Sequence, residues 1–266
     1  MRIEQLVTSD LQSLKALQPA DWTDILPIFA EYIAWPFCLP VKVMIDNKLV
    51  GTGAAISFNK TGWIAHIIVH AKYRKKGLGS SIVDHLCKYL KSSGCETISL
   101  IATELGCSIY KKAGFVEQTE YLFFQREGQL LDHQPSAELV LCTDQDTEGL
   151  LALDQRVSGE DRRGILNGKL AGSVLYKKND QLLGYCLPMM YECPVVAETL
   201  EAGLELMRLR LSATNMEIVP VDNITAIAFL KENGFAVTKK EIRMIWGKAF
   251  SWQPEKIFNR IGGNFG

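Results

Sequence analysis

Residues 63–81 read WIAHIIVHAKYRKKGLGSS. From Trp63 to Val69 the stretch is apolar on both faces and rich in β-branched side chains, the pattern of a buried central strand. It runs into four cations, Lys72, Arg74, Lys75 and Lys76, and then into Gly77 and Gly79 on either side of Leu78. Beyond the glycines Ile82, Val83, Leu86 and Leu90 recur at helical spacing. Strand, loop and helix in this order make an anion site. Successive backbone N–H groups form a concavity at the positive end of the helix dipole. Glycine lets the chain turn sharply and lets a phosphate approach the backbone. Arg74, Lys75 and Lys76 add charge-assisted contacts, so the loop is expected to hold a pyrophosphate. It is neither GxxxxGK[ST] nor GxGxxG, the loops of nucleoside-triphosphate and dinucleotide folds.

Working outward, a short strand is expected near Ile3 to Leu6. A helix capped by Ser9 or Asp10 should run to about Leu17, and a second helix from about Thr23 to Ile33 should stop before Trp35-Pro36. KVMI and VGTGAAISF read as a hairpin turned by Asp46-Asn47-Lys48. After the helix at 82–90, Gly94 supplies a stop. ETISLIA (96–102) is the next buried strand, and a short helix from about Cys107 to Ala113 ends at Gly114-Phe115.

GQLLDHQPSA (128–137) has no sustained period and is read as a linker over 129–137. This divides an α/β protein into domains at 1–128 and 138–266. The second half repeats much of the order: a helix capped near Thr143, strands GSVLYKK and LLGYCLPM about Asn179-Asp180-Gln181, a helix from about Val196 to Leu209, a strand MEIVPV, and a last helix from Asn223 to Asn233. DNKLVG (46–51) parallels NDQLLG (179–184), and KKAGF (111–115) parallels KENGF (231–235). The shared order favours two related domains over one large one.

Composition excludes several classes. Twenty-nine Lys and Arg against 30 Asp and Glu leave no basic excess for neutralising nucleic-acid phosphates. No stretch approaches a membrane span, and MRIEQLVTSD lacks the apolar segment of a signal peptide. Seven scattered cysteines without a CxxC pair point to reduced thiols in the cytoplasm. No metal site is expected.

R-K-K-G-L-G after the strand IIVHAKY and before a helix resembles the R/Q-x-x-G-x-G/A signature of the GCN5-related N-acetyltransferases, the GNAT superfamily. IATELGCSIYKKAGF resembles that superfamily's second motif, with a tyrosine on a short helix ending in Gly-Phe. The second half, through LDQRVSGEDRRGIL, PVVA, VPVDN and GGNFG, resembles a degenerate GNAT domain of bacterial tandem proteins. It has YECPVVA where the signature should stand, and Leu230 where the first half has Tyr110.

The resemblance implies an acetyl-CoA-dependent N-acetyltransferase acting on a primary amine of a small molecule or peptide. The pantetheine arm would lie along Ile67, Ile68 and Val69. The pyrophosphate would sit over Lys75, Lys76, Gly77, Leu78, Gly79 and Ser80, with Arg74 opening the motif. Tyr110 would assist departure of the thiolate, and Thr103 stands where family members often have a cofactor-touching asparagine. Two positions at which some members keep a catalytic glutamate are here Trp63 and Ile98. His66 and His70 lie near the site and read more readily as structural histidines; Glu104 is a loop carboxylate beside it. Trp35, Phe37 and Phe58 read as core or as acceptor-pocket walls, and Asp222 and Asn223 as helix-capping or amine-facing groups. A non-catalytic acyl-CoA-binding or sensing protein is the alternative, and a homodimer is compatible with the sequence.

Overall fold

The computed structural model describes residues 1–20, 22–103 and 106–266. These form two compact units, one comprising 1–117 with 244–248 and 265, the other comprising 118–243, 249–264 and 266. The expected linker, 129–137, carries neither helix nor strand. Among the described residues no helix is long and apolar enough to cross a membrane.

The first unit contains β1 (Arg2–Gln5), α1 (Leu26–Ala34), β2 (Cys38–Ile45), β3 (Lys48–Phe58), β4 (Thr61–Val69), α2 (Leu78–Ser92), β5 (Thr97–Ala102) and α3 (Cys107–Lys112). The strands lie in the order β1-β2-β3-β4-β5. β1 to β4 are antiparallel, and β5 joins β4 in parallel through the crossover helix α2. The β2–β3 turn places Asp46 and Asn47 at φ 47° and 61°, the left-handed pair that a two-residue hairpin turn needs. α2 buries Leu78, Ile82, Val83, Leu86, Cys87 and Leu90, the stripe expected from its spacing. α1 ends at Ala34, with Trp35 already extended ahead of Pro36.

The helix expected to run to about Leu17 is a 3₁₀ helix, Thr8–Leu17, and its cap is Val7 rather than Ser9 or Asp10. Asp10 instead sits in the first turn. Its carboxylate accepts the Val7 N–H at 2.9 Å and is held by Lys42 Nζ at 2.7 and 2.8 Å.

The second unit contains most of β6 (Val116–Gln125), then β7 (Leu139–Leu141), α4 (Thr147–Ser158), α5 (Arg163–Leu166), β8 (Val174–Lys178), β9 (Gln181–Cys186), β10 (Val195–Ala197), α6 (Leu200–Leu211), β11 (Met216–Pro220), α7 (Ile224–Glu232), the greater part of β12 (Ala236–Gly247) and β13 (Ile257–Asn259). One sheet runs β13-β10-β9-β8-β7, and β6 lies between β12 and β11. The β8–β9 turn repeats the first hairpin, with Asn179 and Asp180 at φ 52° and 61°. The helix expected from Val196 starts later. Val195–Ala197 is a strand paired with β9 and β13, and the Thr199 hydroxyl accepts the Ala202 N–H to open α6.

The last residues of β12, Met244–Gly247, belong with Lys248 to the first unit, where β12 follows β5 in strand order. Lys248 N–H donates to the Glu96 carbonyl at 3.1 Å, and the Thr97 hydroxyl donates to the Lys248 carbonyl at 2.6 Å. Gly247, at φ 99°, lies so close to the Glu96 carbonyl oxygen that a Cβ would overlap it.

Candidate active site

The site begins where β4 parts from β5. Its ladder with β5 covers Thr61–Trp63 against Thr97–Ser99 and goes no further among the described residues. On the other side β4 pairs with β3 out to Val69, but Gly53 alone stands opposite both His66 and Ile67. This is a bulge, and its extra residue drops out of the ladder and bends the strand. His66 adopts φ 51° to make it. Gly53 is required there, since a Cβ would come within 2.7 Å of Ile67 Cδ1 and 2.9 Å of Ile82 Cγ2. From the bulge onward the β5-facing backbone edge of β4, through Ile67, Ile68 and Val69, is left for an extended partner.

The edge leads to the loop. Arg74 Nε donates to the Val69 carbonyl at 3.0 Å, fastening the loop to the strand end. His70 Nδ1 accepts the Lys72 N–H at 3.3 Å and shapes the turn between them, which is a structural task. Lys75 takes φ 61°, and Gly77, at φ 80°, is the N-terminal cap of α2. No side chain caps this helix. The N–H groups of Leu78, Gly79 and Ser80 in its first turn therefore have no intrahelical acceptor. The space before them is open: nothing lies within 4 Å of a Cβ placed on Gly77, and only Ile109 Cδ1, at 3.3 Å, near one on Gly79. Arg74, Lys75 and Lys76 are exposed around this end, whereas the Leu78 side chain is buried in the core, leaving its N–H as the part available to a ligand. Open N–H groups, a helix dipole and three cations fit a pyrophosphate.

α3 stands beside this end of α2, as the Gly79–Ile109 approach shows. Tyr110 lies on it half-buried, its ring over Gly106, where a Cβ would come within 3.0 Å of Cε2. Phe115 meets the ring edge to face at 6.1 Å. Burial pushes the Tyr110 phenol up to about 12. Thr103 is exposed just after β5, and its carbonyl starts the α3 turn by accepting N–H groups of Gly106 and Cys107 at 2.9 and 3.2 Å. Glu104 lies outside the described residues.

His66 reaches the α1 side of the sheet. Its Nδ1 is hydrogen-bonded to Tyr32 Oη at 2.9 Å, and its ring meets Trp22, Phe29 and Tyr32 edge to face at 5.5–5.7 Å. Desolvation holds its imidazole down at about 4, so it is neutral at physiological pH. Trp63 and Ile98 are fully buried. Trp35 stacks on Phe37 at 5.4 Å, and Phe37 in turn meets the buried Phe58 at 6.2 Å.

The corresponding places in the second unit are filled by its own side chains. α6 is capped by Thr199, and the Glu198 carboxylate beside it is bound by Arg156 at 2.9 Å and Lys256 at 2.5 Å. Phe258 presses on Gly203 in the first turn of α6. Leu230 is a fully buried core residue. Asn223 caps α7, its Oδ1 accepting the Ala226 N–H at 2.9 Å while Nδ2 donates to the Ile257 carbonyl at 3.0 Å. Asp222 accepts a short hydrogen bond from the Thr119 hydroxyl.

A bulged central strand, unpaired on one edge beyond Trp63 and feeding an uncapped basic loop and helix, is the architecture of an acyl-CoA-binding α/β fold. Residues 7–115 match the Acetyltransferase (GNAT) family and residues 150–259 match the Acetyltransferase (GNAT) domain, so this chain is a tandem member of the GNAT family. It is 27% identical over 192 residues to YitH of Bacillus subtilis, an uncharacterised N-acetyltransferase, covering 67% of this chain and 66% of the relative. It is 33% identical over 74 residues to the glucosamine 6-phosphate N-acetyltransferase of Trypanosoma brucei brucei, covering 28% and 47%. The chain thus spans under two thirds of the length of these relatives. The fold matches a Pyrococcus horikoshii crystal structure provisionally described as an acetyltransferase, with a TM-score of 0.83 at 19% identity over 100% of this chain and 95% of that one. A GCN5-related N-acetyltransferase from Anabaena variabilis gives a TM-score of 0.58 at 13% identity over 92% and 72%.

Proposed function

We propose that the first unit is an acetyl-CoA-dependent N-acetyltransferase acting on a primary amine by direct attack. The observation that carries this is the run of backbone from the unpaired edge of β4 to the start of α2. The edge of β4 freed beyond Trp63 passes the bulge at His66 and Ile67 and ends at the uncapped, cation-ringed start of α2. Ile67, Ile68 and Val69 would hold the pantetheine arm through their backbone. Lys75, Lys76 and the N–H groups of Leu78, Gly79 and Ser80 would hold the pyrophosphate, with Arg74 setting the loop and Thr103 offering a hydroxyl.

When bound, acetyl-CoA supplies the thioester to be attacked. A backbone N–H freed at the bulge can polarise a carbonyl set against it. Tyr110, which keeps its proton up to about 12, can hand it to a departing thiolate. Holding both substrates together supplies much of the rate through positioning. The likeness to an enzyme named for glucosamine 6-phosphate makes small-molecule amines the first acceptors to screen, with peptide amines next. Seven cysteines without a disulfide support a reducing, cytoplasmic setting.

Calorimetric titration of acetyl-CoA into wild type and Gly77→Glu tests this. Micromolar binding abolished by the glutamate is the expected result; a folded wild type without affinity would overturn the proposal. One observation favours a second reading, a non-catalytic acyl-CoA sensor: Trp63 and Ile98, the positions at which the family resemblance would put a catalytic glutamate, are buried and apolar. A sensor would bind acetyl-CoA and release no thiol with any amine.

A further inference from the structure

Two cysteines of the second unit lie together outside any role so far described. Cys186 ends β9 and Cys193 precedes β10, and their sulfurs are 3.4 Å apart. The antiparallel ladder causes this. Val195 is directly opposite Cys186, which makes Cys193 the diagonal neighbour two residues back. Cys193 stands at φ 57°, held by its N–H on the Met190 carbonyl at 2.5 Å. Cys186 is buried, whereas Cys193 is half-buried where it packs against the core.

The surroundings treat the two sulfurs differently. Arg210 Nε donates to the Cys193 carbonyl at 3.2 Å and its Nη2 to the Glu192 carbonyl at 3.1 Å, bringing the guanidinium beside the thiol. The Cys186 hydrogen bond and this guanidinium lower the Cys193 thiol below its ordinary value, while the same hydrogen bond and burial raise Cys186. Of the nearby carboxyl groups, Glu217 accepts from Arg210 at 2.7 Å through one oxygen while burial pushes it up to about 8, and Glu192 is paired with Arg260 at 2.5 Å. Cys193 is therefore suited to be the attacking thiolate and Cys186 the resolving thiol.

We infer that Cys193 and Cys186 form a thiol–disulfide exchange site that takes small-molecule disulfides. The Cys193 thiolate attacks one sulfur of the disulfide RSSR, the S–S bond breaks, and RS⁻ leaves with the electron pair. Cys186 then gives its proton to water and attacks the Cys193 sulfur of the mixed disulfide, and the second RS⁻ leaves. The two cysteines are oxidised to a disulfide while RSSR is reduced to two thiols. Bond formation requires the sulfurs to approach by only about 1.3 Å. Of the other five cysteines, Cys38, Cys87 and Cys95 are buried, and Cys107 and Cys142 lie on other elements.

The full-length protein is incubated with oxidised glutathione at pH 7.5, quenched in acid, denatured and alkylated. Two of the seven thiols should be lost. Cleavage after Glu192 should leave the peptides carrying Cys186 and Cys193 joined until a reductant is added. Cys186→Ser should trap one glutathione on Cys193, and Cys193→Ser should lose no thiol pair. Retention of all seven thiols in wild type, or glutathione on Cys107 or Cys142 with Cys193 untouched, would overturn the inference. The wild-type mapping decides the matter even where a variant does not fold.

Discussion

Acidification is expected to weaken the first unit through His66. Its imidazole has a value of about 4 in the folded protein against the ordinary 6.5, because the ring is withdrawn from water. A lowered value stabilises the fold above the unfolded value, and that contribution is lost as pH falls from 6.5 through about 4. At pH 7.5 neither state binds the proton appreciably. At pH 5.0 the unfolded chain is almost fully protonated there and the folded chain only about a tenth so, a difference of about 2 kcal/mol. The assay is urea unfolding at pH 7.5 and 5.0 of wild type and His66→Asn. Asparagine tolerates the φ of 51° and does not titrate in this range. Wild type should lose about 2 kcal/mol more than the variant between the two pH values. Parallel losses within about 0.5 kcal/mol would refute the view that a neutral, desolvated His66 anchors the bulge.

Tyr110→Phe should lower turnover by about 100-fold and leave acetyl-CoA affinity unchanged, measured by thiol release beside calorimetry; an unchanged rate would remove Tyr110 from the chemistry. Gly77→Ala should cost about 1 kcal/mol in thermal unfolding, because φ of 80° disfavours a Cβ although no atom obstructs it. Gly247→Ala meets both the φ of 99° and the Glu96 carbonyl, so chemical denaturation should show a loss of about 2 kcal/mol or more. Asn223→Ala removes the α7 cap and the bond to the Ile257 carbonyl together and should cost about 2 kcal/mol by the same measurement.

The parts of the site readable in the sequence are those set by local chemistry. The WIAHIIV run, the two glycines and the stripe from Ile82 to Leu90 each state their own backbone preference, and strand, turn and helix stand where those preferences put them. The matching hairpin turns were legible for the same reason, since Asp and Asn adopt left-handed backbone readily. The bulge was not legible, because it depends on Gly53, thirteen residues earlier, being bare beneath Ile67. The helix expected at Val196 began late because Val195–Ala197 is claimed by strands on both sides, and β13 comes from the distant C-terminal segment. The proximity of Cys186 and Cys193 follows from register, which no spacing rule for cysteines expresses.

The return of β12 has a consequence for how the protein is made. The part of β12 that belongs to the first unit, residues 244–247, leaves the ribosome long after Ala102. At roughly 5–20 residues per second the far edge of β5 must wait on the order of 10 s for its neighbour. During synthesis the amino-terminal unit therefore stays incomplete until nearly the whole chain has been made. A gene fragment ending near residue 128 would encode a sheet with that edge exposed, a template for pairing between chains.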